Sequence, residues 1–236
     1  LAIHGPTCER AVQTLKRELA PLFRPQDPSA TRRLDAEALA AIGSGVTVRL
    51  EETDRARLLE HAVERANQVL LGYAQTHTRE AEGMGSTLTL AVIENEQATL
   101  AHVGDSRAYL WREGRLRQLT EDHSVPGALL RQGKIDPAEA QVHPHRHILY
   151  RCLGLKPKIE VDISPAFDVY AGDTLLLCSD GLWDMMHPAE RLAAFLESSA
   201  PPDVLCRRLV DAANDAGGED NITVLIVRVE SVGRGA

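Results

Sequence analysis

Apolar residues recur with the period of a helix up to about residue 77, and with a period of two after Gly83. Leu58, Ala62, Ala66, Val69 and Tyr73 fall on one helical face, so a long helix is expected over 54–77, with Thr53-Asp54 as its cap. An earlier face, Ala11, Leu15, Leu19 and Leu22, predicts a helix over 8–22, with Thr7 at its N-cap. Between them, prolines and glycines interrupt 21–52. That stretch reads as a surface loop with room for one short helix at 35–41.

After Gly83 the pattern predicts strands at 86–94 (STLTLAVIE) and 98–104 (ATLAHVG), joined by a hairpin loop. Two more follow, SRAYLWR and RLRQLT, meeting at Glu113-Gly114, a turn pair suited to a tight hairpin. Four such strands in a row make an antiparallel meander. Residues 126–147 lose the alternation and become polar. Strand character returns at 160–163 and 173–178, helices are expected at 188–197 and 202–216, and a last strand at 221–229. The apolar runs from Leu175 to Cys178 and from Ile222 to Val227 call for cover on both faces. The expected fold is therefore α+β: two antiparallel sheets packed on each other with helices outside.

Composition narrows this by exclusion. A chain of 236 residues is long enough for one large domain with a substantial core, or at most two small ones. Twenty-six basic against 34 acidic residues, a net charge of −8, argues against a general nucleic-acid binder. No apolar run approaches the roughly 20 residues of a membrane span, and the first residues, with His4, Glu9 and Arg10, lack the apolar core of a signal peptide. Cys8, Cys152, Cys178 and Cys206 are far apart, as expected of small buried side chains in a reducing, cytoplasmic setting.

The chemistry is carried by four aspartates at strand ends. Asp105 lies between two strands in HVGDSR, Asp180 and Asp184 follow a fully apolar strand in SDGLWD, and Asp220 precedes the last strand in GGEDNIT. Each alone has an ordinary reading, as a turn aspartate or, for Asp184, as a helix N-cap. Together they flank strands that two packed sheets can bring to one edge, where clustered carboxylates need a cation to stay ionised. Oxygen-only ligands without a neighbouring His or Cys point to Mg²⁺ or Mn²⁺ rather than zinc. Two such ions are a standard means of hydrolysing phosphate esters. Gly181 is expected to allow close approach at this site, and Leu182 and Trp183 to pack in the core. His123 reads as a hydrogen-bonded structural residue, and His143, His145 and His147 as solvated members of the polar segment.

GMGSTLTLAVI, AHVGDSRAYLWREGRLRQLTEDHSV, LLLCSDGLWDMM and GGEDNITVLIV resemble, in order, the motifs of the metal-dependent serine/threonine protein phosphatases of type 2C, in their short bacterial form. The resemblance covers most of 83–229. It implies an α–β–β–α sandwich forming a single domain over 1–236, with a binuclear Mn²⁺ or Mg²⁺ centre at one edge. It implies that Asp180 and Asp220 hold a catalytic ion, that Asp105 and Asp184 hold a third, and that 126–147 is a flap beside the site. The activity implied is hydrolysis of phosphoserine and phosphothreonine on proteins by a metal-activated water, with phosphorylated proteins and a Ser/Thr kinase system as partners. The family's opening Arg, its Asn-Glu-Asp segment and its Asp-Gly-x-Gly-Gly motif are not found in this sequence. The helix over 8–22 resembles the one that follows those motifs, so a chain truncated at its N-terminus and lacking its first strands is expected. The competing reading is a pseudophosphatase-like binding or sensor module. The four retained acids favour the enzyme.

Overall fold

The computed structural model describes residues 13–14, 16–17, 52–77, 84–94 and 96–231. Of the helix expected over 8–22, Gln13, Thr14, Lys16 and Arg17 are described and are helical. The rest of that helix, the loop over 21–52 apart from its final residue, and the short helix at 35–41 lie outside the described residues.

The long helix, α1 (Glu52–Thr76), starts one residue before the expected Thr53-Asp54 cap, so that pair lies within its first turn rather than ahead of it. The meander follows as β1 (Leu88–Glu94), β2 (Gln97–Val103), β3 (Arg107–Arg112) and β4 (Arg115–Gln118). Its last turn is built as the sequence requires: Glu113 and Gly114 both take positive φ, at 50° and 75°, which matches the twist of the flanking strands.

Residues 126–147 are more ordered than their polarity predicts. They form two short helices, α2 (Val125–Arg131) and α3 (Pro137–Gln141). Ser124 caps the first through Gly127 N–H, and Asp136 and Glu139 make a reciprocal capping box on the second. Local capping supplies what an apolar face does not. The excursion that carries them is closed at its neck by a bridge between Ser124 and Leu149, with Val125 N–H donating to Ile148 O at 2.9 Å.

Beyond it, the strand expected at 160–163 is reduced to β5 (Asp162–Ile163), and β6 (Phe167–Asp168) follows. Then come β7 (Thr174–Cys178), α4 (Asp180–Trp183), α5 (Glu190–Leu196), α6 (Pro202–Asp215) and β8 (Val224–Arg228). Both sheets are antiparallel. In one, β1 pairs with β2, and β2 pairs along its other side with β5 and β6; the other runs β4-β3-β7-β8.

Alternation along the strands divides the apolar residues into three layers. Leu58, Leu59, Ala62, Val63, Ala66 and Leu70 of α1 pack on Leu88, Val92, Ala101 and Val103. Leu100, Ala108, Leu110, Leu175 and Leu177 fill the space between the sheets. On β7 the intervening residues, Leu176 and Cys178, turn to the far side, where Leu182, Met186, Leu192, Leu196 and Leu209 cover them. This is the expected α–β–β–α sandwich. β7 is buried at all five positions, as its unbroken apolar run predicts. β8 differs: at the sheet edge, Leu225 stays 38 % exposed, so its apolar run is not covered on both faces. Among the described residues no helix is long and apolar enough to cross a membrane. Cys178 is buried, Cys152 and Cys206 are partly buried, and all three are unpaired.

Candidate metal centre

All four aspartates reach one edge of the sandwich. Asp105, Asp180 and Asp220 line a cleft of about 290 Å³ together with Ser86, Thr87 and His147. Asp180, Asp184 and Asp220 line an adjoining depression with Glu219. Asp105 comes from the β2–β3 turn, Asp180 from the start of α4 and Asp184 from its C-cap, and Asp220 from the loop before β8.

A short set of bonds brings Asp180 and Asp220 together. Ser179 N–H donates to Thr223 O at 3.1 Å, Thr223 N–H donates back to Ser179 Oγ at 3.0 Å, and the Ser179 hydroxyl donates to Asn221 O at 3.1 Å. Gly181 then lies against the same loop: a Cβ on it would come within 2.5 Å of Asn221 O and 3.2 Å of Asp220 O. Glycine is required there because backbone, which cannot move aside, occupies the space a side chain would need. The close approach expected of Gly181 is thus an approach between two loops of the chain itself.

The electrostatics are those of carboxylates short of positive charge. Burial, then the charge of Asp180, pushes Asp105 up to about 7. Burial, then Asp220, raises Asp180, against the opposing bond from Gly181 N–H and the nearby His147. Arg146 meets the outer acids, 3.6 Å from Asp184 and 3.8 Å from Glu219. Among the described residues no three His, Cys, Asp or Glu side chains close on a single point; the acids line a wall.

That wall suits a hard divalent cation. The donors are oxygens, they are partly desolvated, and they repel one another in its absence. Mg²⁺ in particular is held by one or two carboxylates with waters and phosphate oxygens completing the shell, so a wall of acids is an appropriate host.

Other expectations need amending. Trp183 is not simply core: its Nε1–H donates to Asp105 O at 2.9 Å, and the Arg107 guanidinium lies 3.5 Å from its ring centroid. His147 is exposed but faces the acids, and so belongs to the cleft rather than to the solvated surface alone. The rings of His143 and His145 lie with centroids 5.7 Å apart. Ser179, to which the sequence reading gave no part, is the residue that ties the two acidic loops together. An apolar strand ending in a serine gives no sign of that.

The comparisons with known proteins agree with this geometry. The family model for protein phosphatase 2C matches residues 35–127, and that for stage II sporulation protein E matches 149–230. The serine/threonine phosphatase stp of Listeria monocytogenes serovar 1/2a is 41% identical over 177 residues, covering 75% of this chain and 69% of that protein. The Listeria innocua protein of the same name is 42% identical over 169 residues, covering 72% of this chain and 66% of that protein. The chain thus spans about two thirds of the length of these relatives. Among solved structures, the Mycobacterium tuberculosis serine/threonine phosphatase PstP/Ppp superposes with a TM-score of 0.72 at 31% identity, covering 97% of this chain and 85% of that one. The catalytic domain of PstP in complex with two manganese ions superposes with a TM-score of 0.66 at 29% identity, covering 94% of this chain and 83% of that one. The fold and the acidic edge define a phosphatase-type sandwich, and the chain belongs to the protein phosphatase 2C family.

Proposed function

We propose that this protein removes phosphate from phosphoserine and phosphothreonine in other proteins, with Mn²⁺ or Mg²⁺ bound at the acidic edge. One observation carries the reading: Asp105, Asp180 and Asp220 share one cleft, and the first two are raised by burial and by a neighbouring acid, Asp180 for Asp105 and Asp220 for Asp180. The names of the bacterial relatives and the two manganese ions of the PstP catalytic domain support it.

Asp180 and Asp220 would hold one catalytic ion of a binuclear centre, and Asp105 and Asp184 a third, more weakly bound ion. Bound there, such an ion makes a coordinated water nucleophilic at neutral pH and neutralises charge on the phosphoryl oxygens. The chain's own residues do the positioning. Ser179 and Gly181 set the separation of Asp180 from Asp220. Trp183 holds α4 to the turn of Asp105. We read 126–147 as a flap. A second cleft of about 230 Å³ runs between it and the body of the protein, lined by Arg107, Gln118, Arg146 and His187 among others. It opens beside Asp184 and has room for peptide flanking the phosphorylated residue. We further infer one phosphatase domain across the chain, a cytoplasmic location consistent with its unpaired cysteines, and a Ser/Thr kinase as the source of substrate.

The test is hydrolysis of a phosphothreonine peptide by the metal-stripped protein. Turnover is expected only on addition of Mn²⁺ or Mg²⁺. Undiminished turnover in excess chelator would overturn the proposal.

A further inference from the structure

His123, in the motif TEDHSV, takes no part in the chemistry above, yet its side chain is 1% exposed and both ring nitrogens are engaged. Gly104 N–H points at Nδ1 from 3.0 Å. A backbone N–H only donates, so Nδ1 is the acceptor and the ring proton sits on Nε2. From there it is donated to Asp162 Oδ2 at 2.9 Å, while Arg151 Nη1 donates to Asp162 Oδ1 at 2.5 Å. Arg151 Nη1 also lies 3.1 Å from Nε2; both are donors, so the Nε2 proton goes to Asp162 and the tautomer follows from Gly104 N–H. The imidazole is neutral, buried, and has no free nitrogen to offer a substrate.

What it holds is the turn that carries Asp105. Gly104 receives the ring on its N–H, and its carbonyl accepts His123 N–H at 2.7 Å. Both polar groups of that one residue are therefore bound to His123. Gly104 has φ +113°, and a Cβ there would lie 2.4 Å from Thr87 Cγ2, so this peptide adopts a conformation that other residues rarely take. The next residue is Asp105. On its other side His123 O accepts Tyr150 N–H at 3.0 Å, where the excursion over 124–149 returns to the body.

We propose that His123 is a positioning residue for Asp105: its Nδ1 fixes the Gly104 peptide and so directs the Asp105 carboxylate into the metal cleft. This rests on the reading that Asp105 helps to hold a divalent ion. It differs from a packing role in one respect: the acceptor at the δ position matters, not the ring as such. Asparagine places Oδ1 where histidine has Nδ1 and keeps the bond to Gly104. Glutamine reaches the ε position and keeps only the bond to Asp162.

The experiment titrates Mn²⁺ into metal-stripped protein and into His123→Asn, His123→Gln, His123→Ala and Asp105→Asn. Free Mn²⁺ is followed by its paramagnetic resonance signal, and phosphopeptide turnover is followed in parallel. His123→Gln and His123→Ala are expected to weaken the weakest Mn²⁺ site by about 10- to 100-fold, the usual cost of losing an outer-shell partner. His123→Asn should stay close to wild type. Equal losses in all three His123 variants would reduce the residue to packing and overturn the proposal. If His123→Ala does not fold, the contrast between Asn and Gln decides in the same way. If Asp105→Asn weakens Mn²⁺ binding while the Gln and Ala variants do not, the assignment of His123 alone is wrong. If Asp105→Asn changes nothing, the metal reading of Asp105 fails and this inference fails with it.

Discussion

The indole of Trp183 donates its Nε1–H to the main-chain carbonyl of Asp105 at 2.9 Å. The helix that begins at Asp180 and is capped by Asp184 is thus bonded to the turn that bears the third acid. Arg107 lies flat on the same ring and is clamped by Asp122, with Nε and Nη2 donating to its two oxygens at 2.9 and 2.6 Å. A stacked, doubly bonded guanidinium is rigid. The ring beneath it is a fixed strut between two parts of the acidic edge.

This gives an optical readout. The chain has two tryptophans, Trp111 and Trp183, and only Trp183 touches the candidate site. Mn²⁺, being paramagnetic, is expected to quench Trp183 emission on binding. Trp183→Phe should lose the response and Trp111→Phe should keep it. Quenching of equal size in both variants would place the bound ion elsewhere.

Asp180→Asn is expected to separate function from stability. Turnover at saturating Mn²⁺ should fall by more than the roughly 10- to 100-fold typical of an outer-shell loss. The metal-free protein should melt higher than wild type at neutral pH. Burial and Asp220 raise the carboxyl's pKa in the fold, so its charge destabilises the folded state above the unfolded pKa, and removing that charge relieves it. Thermal melts in chelator check the sign, and a lower melting temperature would contradict it.

Gly181→Ala should act as a wedge. The added methyl meets the Asn221 carbonyl within 2.5 Å, and relief requires the loop before β8 to move outward, taking Asp220 with it. Overpacking of this kind costs about 1–3 kcal/mol. Urea unfolding should show that loss, and Mn²⁺ affinity should drop with it. A variant with wild-type stability and affinity would mean that the two loops separate freely.

His102 predicts a pH dependence. Burial, reinforced by neighbouring His123, lowers it to about 4. Its imidazole is neutral in the fold, while the unfolded chain takes up a proton below its ordinary value of about 6.5. The stabilisation is therefore complete above about pH 6.5 and is lost as pH falls toward 4, on the order of 3 kcal/mol over that window. Unfolding of wild type and His102→Asn between pH 7 and 4 should show the slope in the first and a flatter curve in the second.

Much of this was readable in the sequence because the physics is local. β1 to β4 and β7 announce themselves by alternation or by unbroken apolar runs, and the α–β–β–α layering follows from which faces those runs must hide. The four acids were also visible, each at a strand end. That they meet was a matter of resemblance, since Asp105 and Asp220 are placed together by sheet pairing that no local pattern encodes. The helices at Val125–Arg131 and Pro137–Gln141 escaped a reading based on apolar periodicity, although Asp136, Pro137 and Glu139 spell a capping box. His123 was expected to be a hydrogen-bonded structural residue and is, but what it and Trp183 hold was not readable. Their partners, Asp105 O and Gly104 N–H, are backbone groups, and backbone partners leave no trace in residue identity.

The neck at Ser124–Leu149 has a corollary for sequence change. Because the chain is stapled there before it returns to the body at Tyr150, the helices α2 and α3 can change without pulling on the turn of Asp105. Changes of length in the outer part of the excursion, around α3, are expected to leave the acidic edge in register, whereas changes of charge at Arg146 or His147 would reach it. An outer segment anchored in this way is one that can vary in length while the turn of Asp105 and the loop of Asp220 keep their places.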